Sequence, residues 1–151
     1  MDKKLLFVYN PKAGKAQIRN KLADILDIFA KEGYESTVVP TQKRGDAREI
    51  VASRHDGYEL VVCSGGDGTL DEVVTGMIQS GCRTSIGDIP AGSTNDFGGS
   101  ISLPRNMVRA AQTAVTGRDF QCDIGSFRHD DGEDVFVYIA AFGLFTDGFD
   151  K

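Results

Sequence analysis

The chain has 151 residues, 22 acidic against 17 basic side chains, and a formal net charge of −5. That length suits one domain, or one domain with part of another. The acidic balance without any basic run excludes a nucleic-acid binder that draws its affinity from phosphate neutralisation.

Leu5-Leu6-Phe7-Val8-Tyr9 is an apolar run ended by Asn10-Pro11, the pattern of a strand covered on both faces of a parallel sheet. Ile18, Leu22, Ile25, Leu26 and Phe29 keep one helical face, which Gly33 stops. A short strand over residues 36–39 follows, then a helix that Asp46 and Glu49 cap, with Ala47, Ile50 and Val51 facing inward. Tyr58-Glu59-Leu60-Val61-Val62 reads as a core strand. Beyond it Leu70, Val73, Val74, Met77 and Ile78 fall at helical spacing, with Thr69 and Glu72 as a capping box at the helix start. After Gly81 come a strand over residues 85–89, a polar loop over 90–97, and a helix entered through Pro104 and closed by Gly117. This alternation predicts an α/β fold over residues 1–117: a three-layer, Rossmann-like parallel sheet with helices on both faces.

Past Gly117 the pattern changes. Phe120, Cys122, Ile124 and Phe127 alternate with polar residues, Asp130-Asp131-Gly132 is a turn signal, and Val135-Phe136-Val137-Tyr138-Ile139 is a second strand. Residues 118–151 are therefore expected to form a β-hairpin leading into a β-rich second lobe. An apolar, glycine-containing stretch runs almost to Lys151 without a capping element, so the sequence reads as one lobe of a longer protein. No signal pattern opens the chain, and its longest apolar stretch, residues 135–145, falls short of the roughly 20 residues that cross a bilayer. Cys63, Cys82 and Cys122 are odd in number and lack CxxC spacing, as expected of reduced thiols rather than a disulfide frame or zinc site. The expected setting is cytoplasmic, with any membrane contact peripheral and no transmembrane segment.

Every candidate loop follows the C-terminal end of an expected strand, which is the edge where open α/β sheets bind ligands. The stretch Gly65-Gly66-Asp67-Gly68-Thr69 places three glycines and one carboxylate where a buried strand gives way to a helix. Glycines there let anionic groups approach bare backbone N–H groups, and the helix N-terminus adds partial positive charge. Asp67 alone would repel phosphate, so a divalent cation bridging the two is implied: nucleotide with Mg²⁺ rather than a plain anion. The order is neither a dinucleotide fingerprint nor a P-loop, since Gly14-Lys15-Ala16 lacks both the upstream glycine and the following Ser or Thr.

Four segments together resemble the catalytic domain of the diacylglycerol kinase and sphingosine kinase family, which includes bacterial lipid kinases. They are Asn10-Pro11-Lys12-Ala13-Gly14-Lys15, Thr41 with Gly45-Asp46-Ala47, Gly65-Gly66-Asp67-Gly68-Thr69, and Pro90-Ala91-Gly92-Ser93-Thr94-Asn95-Asp96-Phe97. The resemblance runs from residue 5 to about residue 145. It implies the nucleotide-binding lobe of an ATP- and Mg²⁺-dependent kinase that transfers the γ-phosphoryl group to a lipid hydroxyl at a membrane surface. On this resemblance Asn10, Pro11 and Gly14 form the first nucleotide loop, and Thr41 touches nucleotide. Gly65, Gly66, Gly68 and Thr69 form the phosphate loop, and Gly92, Ser93 and Asn95 lie near the phosphates. Asp67 is the catalytic residue, engaging Mg²⁺ through the nucleotide or orienting the acceptor hydroxyl. The chain departs from the family pattern at Ser93, where many relatives carry Thr, and at Asp71, where many carry Asn. The family's general base belongs to a second lobe, so this segment alone is not expected to turn over. A homodimer is compatible with the resemblance, and no nucleic acid is expected as partner.

Each assignment has a plainer rival. The glycine turn can be a tight connection, Asn10-Pro11 can simply end a strand, Lys12 and Lys15 can be ordinary exposed lysines, and Asn95 and Asp96 can cap a turn. Two other functions stay open from the residues alone: a kinase of a soluble acceptor such as NAD, and a nucleotide-binding module without catalysis.

Overall fold

The structure is a computed structural model whose description covers residues 3–13, 17–54, 56–81, 84–90, 107–122 and 125–129. Six strands, β1 (Lys3–Tyr9), β2 (Tyr34–Pro40), β3 (Leu60–Gly65), β4 (Ser85–Pro90), β5 (Arg118–Cys122) and β6 (Gly125–His129), form one sheet in the order β2-β1-β3-β4-β6-β5. Among the described residues four helices, α1 (Ile18–Lys31), α2 (Asp46–Arg54), α3 (Asp67–Ser80) and α4 (Met107–Thr116), cover it. The pairings among β2, β1, β3 and β4 are all parallel, as the apolar runs predict, and β6 joins β4 in parallel as well.

The sequence dictates these elements through burial. Residues 60–65 are buried throughout β3, and Leu5, Leu6, Phe7 and Val8 are fully buried in β1, so both strands read as continuous apolar runs rather than alternating ones. One face of the sheet packs against α1 and α4 through Leu5, Phe7, Leu60, Val62 and Ile89, against Ile18, Ile25, Phe29, Ala111 and Ala114. Phe7 anchors this layer, stacked on Tyr9 at 5.6 Å and edge-on to Phe29 at 5.5 Å between ring centroids. The helices α2 and α3 pack on each other, with Ala47, Val51, Leu70, Val73, Val74 and Met77 buried. Their approach is close because α3 carries Gly76 at the crossing: a Cβ there would stand 2.7 Å from the Arg48 carbonyl oxygen. A second close approach uses Gly87, where a Cβ would stand 2.8 Å from the Ala114 methyl, setting α4 down on β4. Helix α3 ends in a left-handed Gly81 (φ 72°), whose N–H donates to the Ile78 carbonyl.

Two local expectations differ from the structure. Thr69 and Glu72 do not form a capping box: α3 begins at Asp67 with Gly66 as its N-cap, so Thr69 already lies inside the first turn. The Glu72 carboxylate instead accepts the Gly45 N–H from the loop before α2. The hairpin also turns earlier than its sequence suggests. The first alternating stretch is itself both strands, β5 and β6, paired antiparallel from Arg118↔His129 to Cys122↔Gly125, and they extend the same sheet. Residues 135–139 lie outside the described residues.

Candidate active site

With β1 lying between β2 and β3, the connections leaving β1 and β3 diverge, and a crevice opens at the carboxyl ends of the strands. A cleft of about 640 Å³ occupies that place, within the size range of small-ligand sites. Its wall after β1 is Tyr9, Asn10, Pro11 and Lys12, with Arg19 from α1. After β2 come Pro40, Thr41, Gln42, Lys43 and Arg44, with Ala47 from α2. The first turns of α3 add Gly68, Thr69 and Glu72.

The backbone of each wall is held by its own hydrogen bonds. Asn10 N–H donates to the Ser64 carbonyl at 2.8 Å, tying the end of β1 to the end of β3. The Asn10 side chain accepts the Lys12 N–H at 2.9 Å, an Asx turn that shapes the loop, so this residue both lines the cleft and performs the structural role of its plainer rival. Thr41 N–H donates to the Tyr9 carbonyl at 2.8 Å, continuing the β1–β2 ladder one residue past the strand. Beyond it the Asp46 carboxylate accepts two amides at once, Gln42 N–H at 2.7 Å and Lys43 N–H at 3.2 Å. Gly45, at φ 93°, turns the chain into α2, and its N–H donates to Glu72 at 3.1 Å.

The wall after β3 offers different chemistry. Gly66 is the N-cap of α3 in extended conformation (φ −82°, ψ −172°), and Thr69 and Leu70 N–H both point to its carbonyl. The N–H groups of Asp67 and Gly68 therefore precede the helical ladder and face past the helix start, as at anion-binding helix termini. Gly65 has a steric reason of its own, since a Cβ there would run into the Thr69 side chain. At Gly66 and Gly68 a Cβ would meet nothing within 4 Å, so bare backbone faces open space. Among the described residues four basic side chains, Lys12, Arg19, Lys43 and Arg44, line the same cleft with one acid, Glu72. This donor set fits a polyanion, and it fits a divalent cation only as that anion's counter-ion.

Among the expected site residues, the structure brings together Asn10, Pro11, Thr41, Gly68 and Thr69 in the cleft. Gly65 ends β3, Gly66 caps α3 and Asp67 opens it. Gly14, Gly92, Ser93 and Asn95 lie outside the described residues. Sequence reasoning placed the loop from Thr41 to Asp46 on this edge without giving Gln42, Lys43 or Arg44 a role, and it missed Arg19 and Glu72 as cleft residues. The paired bases at 43 and 44, in a short loop after a strand, were the available signal. Beside the site, buried Cys63 sits within 3.5 Å of the Asp88 carboxylate. Burial first, and then the Asp88 charge and hydrogen bond, push the Cys63 thiol well above its ordinary value, so it is a neutral packed group and not a nucleophile.

A family model described as the diacylglycerol kinase catalytic domain matches residues 4–127. A diacylglycerol kinase of Staphylococcus aureus (strain bovine RF122 / ET3-1) is 36% identical over 147 residues, covering 97% of this chain and 45% of that protein. The enzyme of strain JH9 is 35% identical over the same length. The crystal structure of a diacylglycerol kinase from Bacillus anthracis str. Sterne superposes with a TM-score of 0.70 at 28% identity, over 79% of this chain and 44% of that one. The chain thus spans about 45% of the length of the curated relatives it matches.

Proposed function

Since the chain belongs to the diacylglycerol kinase catalytic-domain family, we propose that it is the nucleotide-binding lobe of an ATP- and Mg²⁺-dependent lipid kinase, transferring a phosphoryl group to a lipid hydroxyl. The observation that carries this reading is the cleft itself, where a glycine-opened helix start and four basic side chains converge at the strand-order reversal. Phosphoryl transfer asks a protein mainly to position groups and neutralise charge, and this cleft offers both.

The roles divide by wall. The amides at Gly66 to Gly68 receive phosphate oxygens, because glycine there leaves the backbone uncovered. Lys12, Arg19, Lys43 and Arg44 offset the remaining negative charge. Thr41 and Asn10 border the space left for the nucleoside. Asp67, first residue of α3, holds the Mg²⁺ that accompanies the nucleotide or orients the acceptor hydroxyl; when bound, the ion supplies charge stabilisation at the phosphates. Gly14, Gly92, Ser93 and Asn95, outside the described residues, are assigned to the same phosphate site on the family resemblance alone. The acceptor lipid of this proposal is met at a membrane surface; no helix among the described residues is long and apolar enough to cross a membrane.

Two measurements test the reading. Calorimetric titration of the 151-residue chain with Mg-ATP should show one saturable site, and the absence of heat or competition at millimolar nucleotide would refute it. Phosphate transfer from labelled ATP by the complete gene product should go to a lipid extract, and transfer to NAD instead would assign the soluble-acceptor alternative. Binding without transfer to either would leave a nucleotide-binding module.

A further inference from the structure

Among the described residues Glu72 is the one acid that lines the cleft, beside four basic side chains, and helix capping does not account for it. It lies more than a turn inside α3, half-buried, with Oε2 accepting the Gly45 N–H at 3.1 Å. The two residues are 27 apart in sequence, and the bond crosses from the phosphate helix to the loop that carries Lys43 and Arg44.

The rest of that loop is already fixed from its other sides. Thr41 N–H is held by Tyr9, Gln42 and Lys43 N–H by Asp46, and Asp46 N–H by the Lys43 carbonyl. These bonds make the loop rigid within itself and join it to β1. They do not set its distance from α3. The packing of α2 on α3 through Gly76 fixes one point of that relation, and the Glu72–Gly45 bond fixes a second at the cleft end. With both points fixed the loop cannot pivot about Gly76, so Lys43 and Arg44 stay in the cleft that Gly68 and Thr69 also line.

We propose that Glu72 is a positioning residue for the phosphate site: its carboxylate oxygen braces Gly45, so that Lys43 and Arg44 face the same anion as the α3 amides. The proposal rests on the nucleotide reading above. It requires reach and an acceptor oxygen at residue 72, not negative charge.

That distinction makes it testable with two mild variants. Glu72→Gln keeps the length and an acceptor oxygen but loses the charge. Glu72→Asp keeps the charge but draws the oxygen back by one methylene, about 1.5 Å. Mg-ATP titration of the 151-residue chain should show Gln binding within about threefold of the parent and Asp weakened about tenfold, the scale of one hydrogen bond. In parallel, amide hydrogen exchange at Gly45 should stay slow in Gln and quicken in Asp. A parent-like affinity in Asp, or a loss in Gln with Asp retained, overturns the brace and assigns Glu72 a charge role or none. Should the parent chain itself fail to bind Mg-ATP, the nucleotide reading falls alone. The exchange data then decide the brace: Gly45 exchange quickened only by Asp supports it, and equal exchange in all three chains overturns it.

Discussion

Gly76 offers a prediction whose sign is decided by a distance. Glycine inside a helix is about 1 kcal/mol worse than alanine, so Gly76→Ala in the middle of α3 (Asp67–Ser80) ought to stabilise the protein wherever the methyl has room. Here it does not. The added Cβ would stand 2.7 Å from the Arg48 carbonyl oxygen and 3.3 Å from the Val51 Cβ. Relative to a normal contact of about 3.5 Å, the first of these is short by about 0.8 Å. The obstacle is a backbone carbonyl within α2, which cannot rotate away as a side-chain tip would. Overpacking of this kind costs about 1–3 kcal/mol, and a backbone obstacle places it in the upper half of that range. After subtracting the helix-propensity gain, a net loss of about 1–2 kcal/mol remains. For a chain of this length that lowers Tm by about 2–8 °C. Thermal unfolding followed by circular dichroism, with urea midpoints as a second measure, reads the effect. Gly68→Ala in the same helix is the control, because its Cβ would meet nothing within 4 Å, and its stability should be unchanged or slightly raised. A Tm for Gly76→Ala equal to or above the parent would refute the close α2–α3 approach, and with it one of the two points that align the cleft walls.

Three further predictions concern the site and its surroundings. Asp67→Asn in the complete enzyme should lower kcat by at least about 10²-fold, the scale for losing a preorganised electrostatic group; near-normal turnover with the fold intact would contradict its assignment. The double variant Lys43→Gln, Arg44→Gln should weaken Mg-ATP binding by about 3–10-fold at low ionic strength, and the difference should shrink in 0.5 M salt because both side chains are exposed; a salt-independent loss would mean the bases act by shape and not by charge. Cys63 holds its proton in the folded state to a pH well above its ordinary value of 9.0, so the unfolded chain releases that proton first as pH rises. Its contribution to stability is therefore complete below about pH 9 and declines above it, by at most about 1.4 kcal/mol per pH unit. Urea midpoints between pH 7 and 10.5 should fall less steeply in Cys63→Ala, and equal slopes would show that the thiol ionises as readily folded as unfolded.

The strands and helices of the parallel region were legible because burial writes them directly: a strand covered on both faces is an unbroken apolar run, and a helix on that sheet repeats at three and four residues. The glycine turn between β3 and α3 was legible for a related reason, since glycines concentrate where a side chain would collide, as at Gly65, or where backbone stays uncovered, as at Gly66 and Gly68. Glu72 was misread because a capping box and a tertiary acceptor look identical in sequence. What separates them is that Gly66, not Thr69, caps the helix, and that α2 lies against α3. Arg19 could not be grouped with Lys43 and Arg44 because nothing along the chain says that β1 lies between β2 and β3. The hairpin was recognised by its period of two, but its turn was placed at the strongest local signal, Asp130-Asp131-Gly132, whereas the strands pair around residues 123–124.

The double acceptor at Asp46 divides labour within the cleft. Amides that a carboxylate from the same chain has already claimed cannot also greet a ligand, so on that side recognition falls to the tips of Gln42, Lys43 and Arg44. The opposite wall works the other way, presenting uncovered main chain at Gly66 and Gly68. One rim is therefore a rigid mount carrying exchangeable fingers, and replacing those fingers retunes what the cleft attracts while leaving its outline as it was.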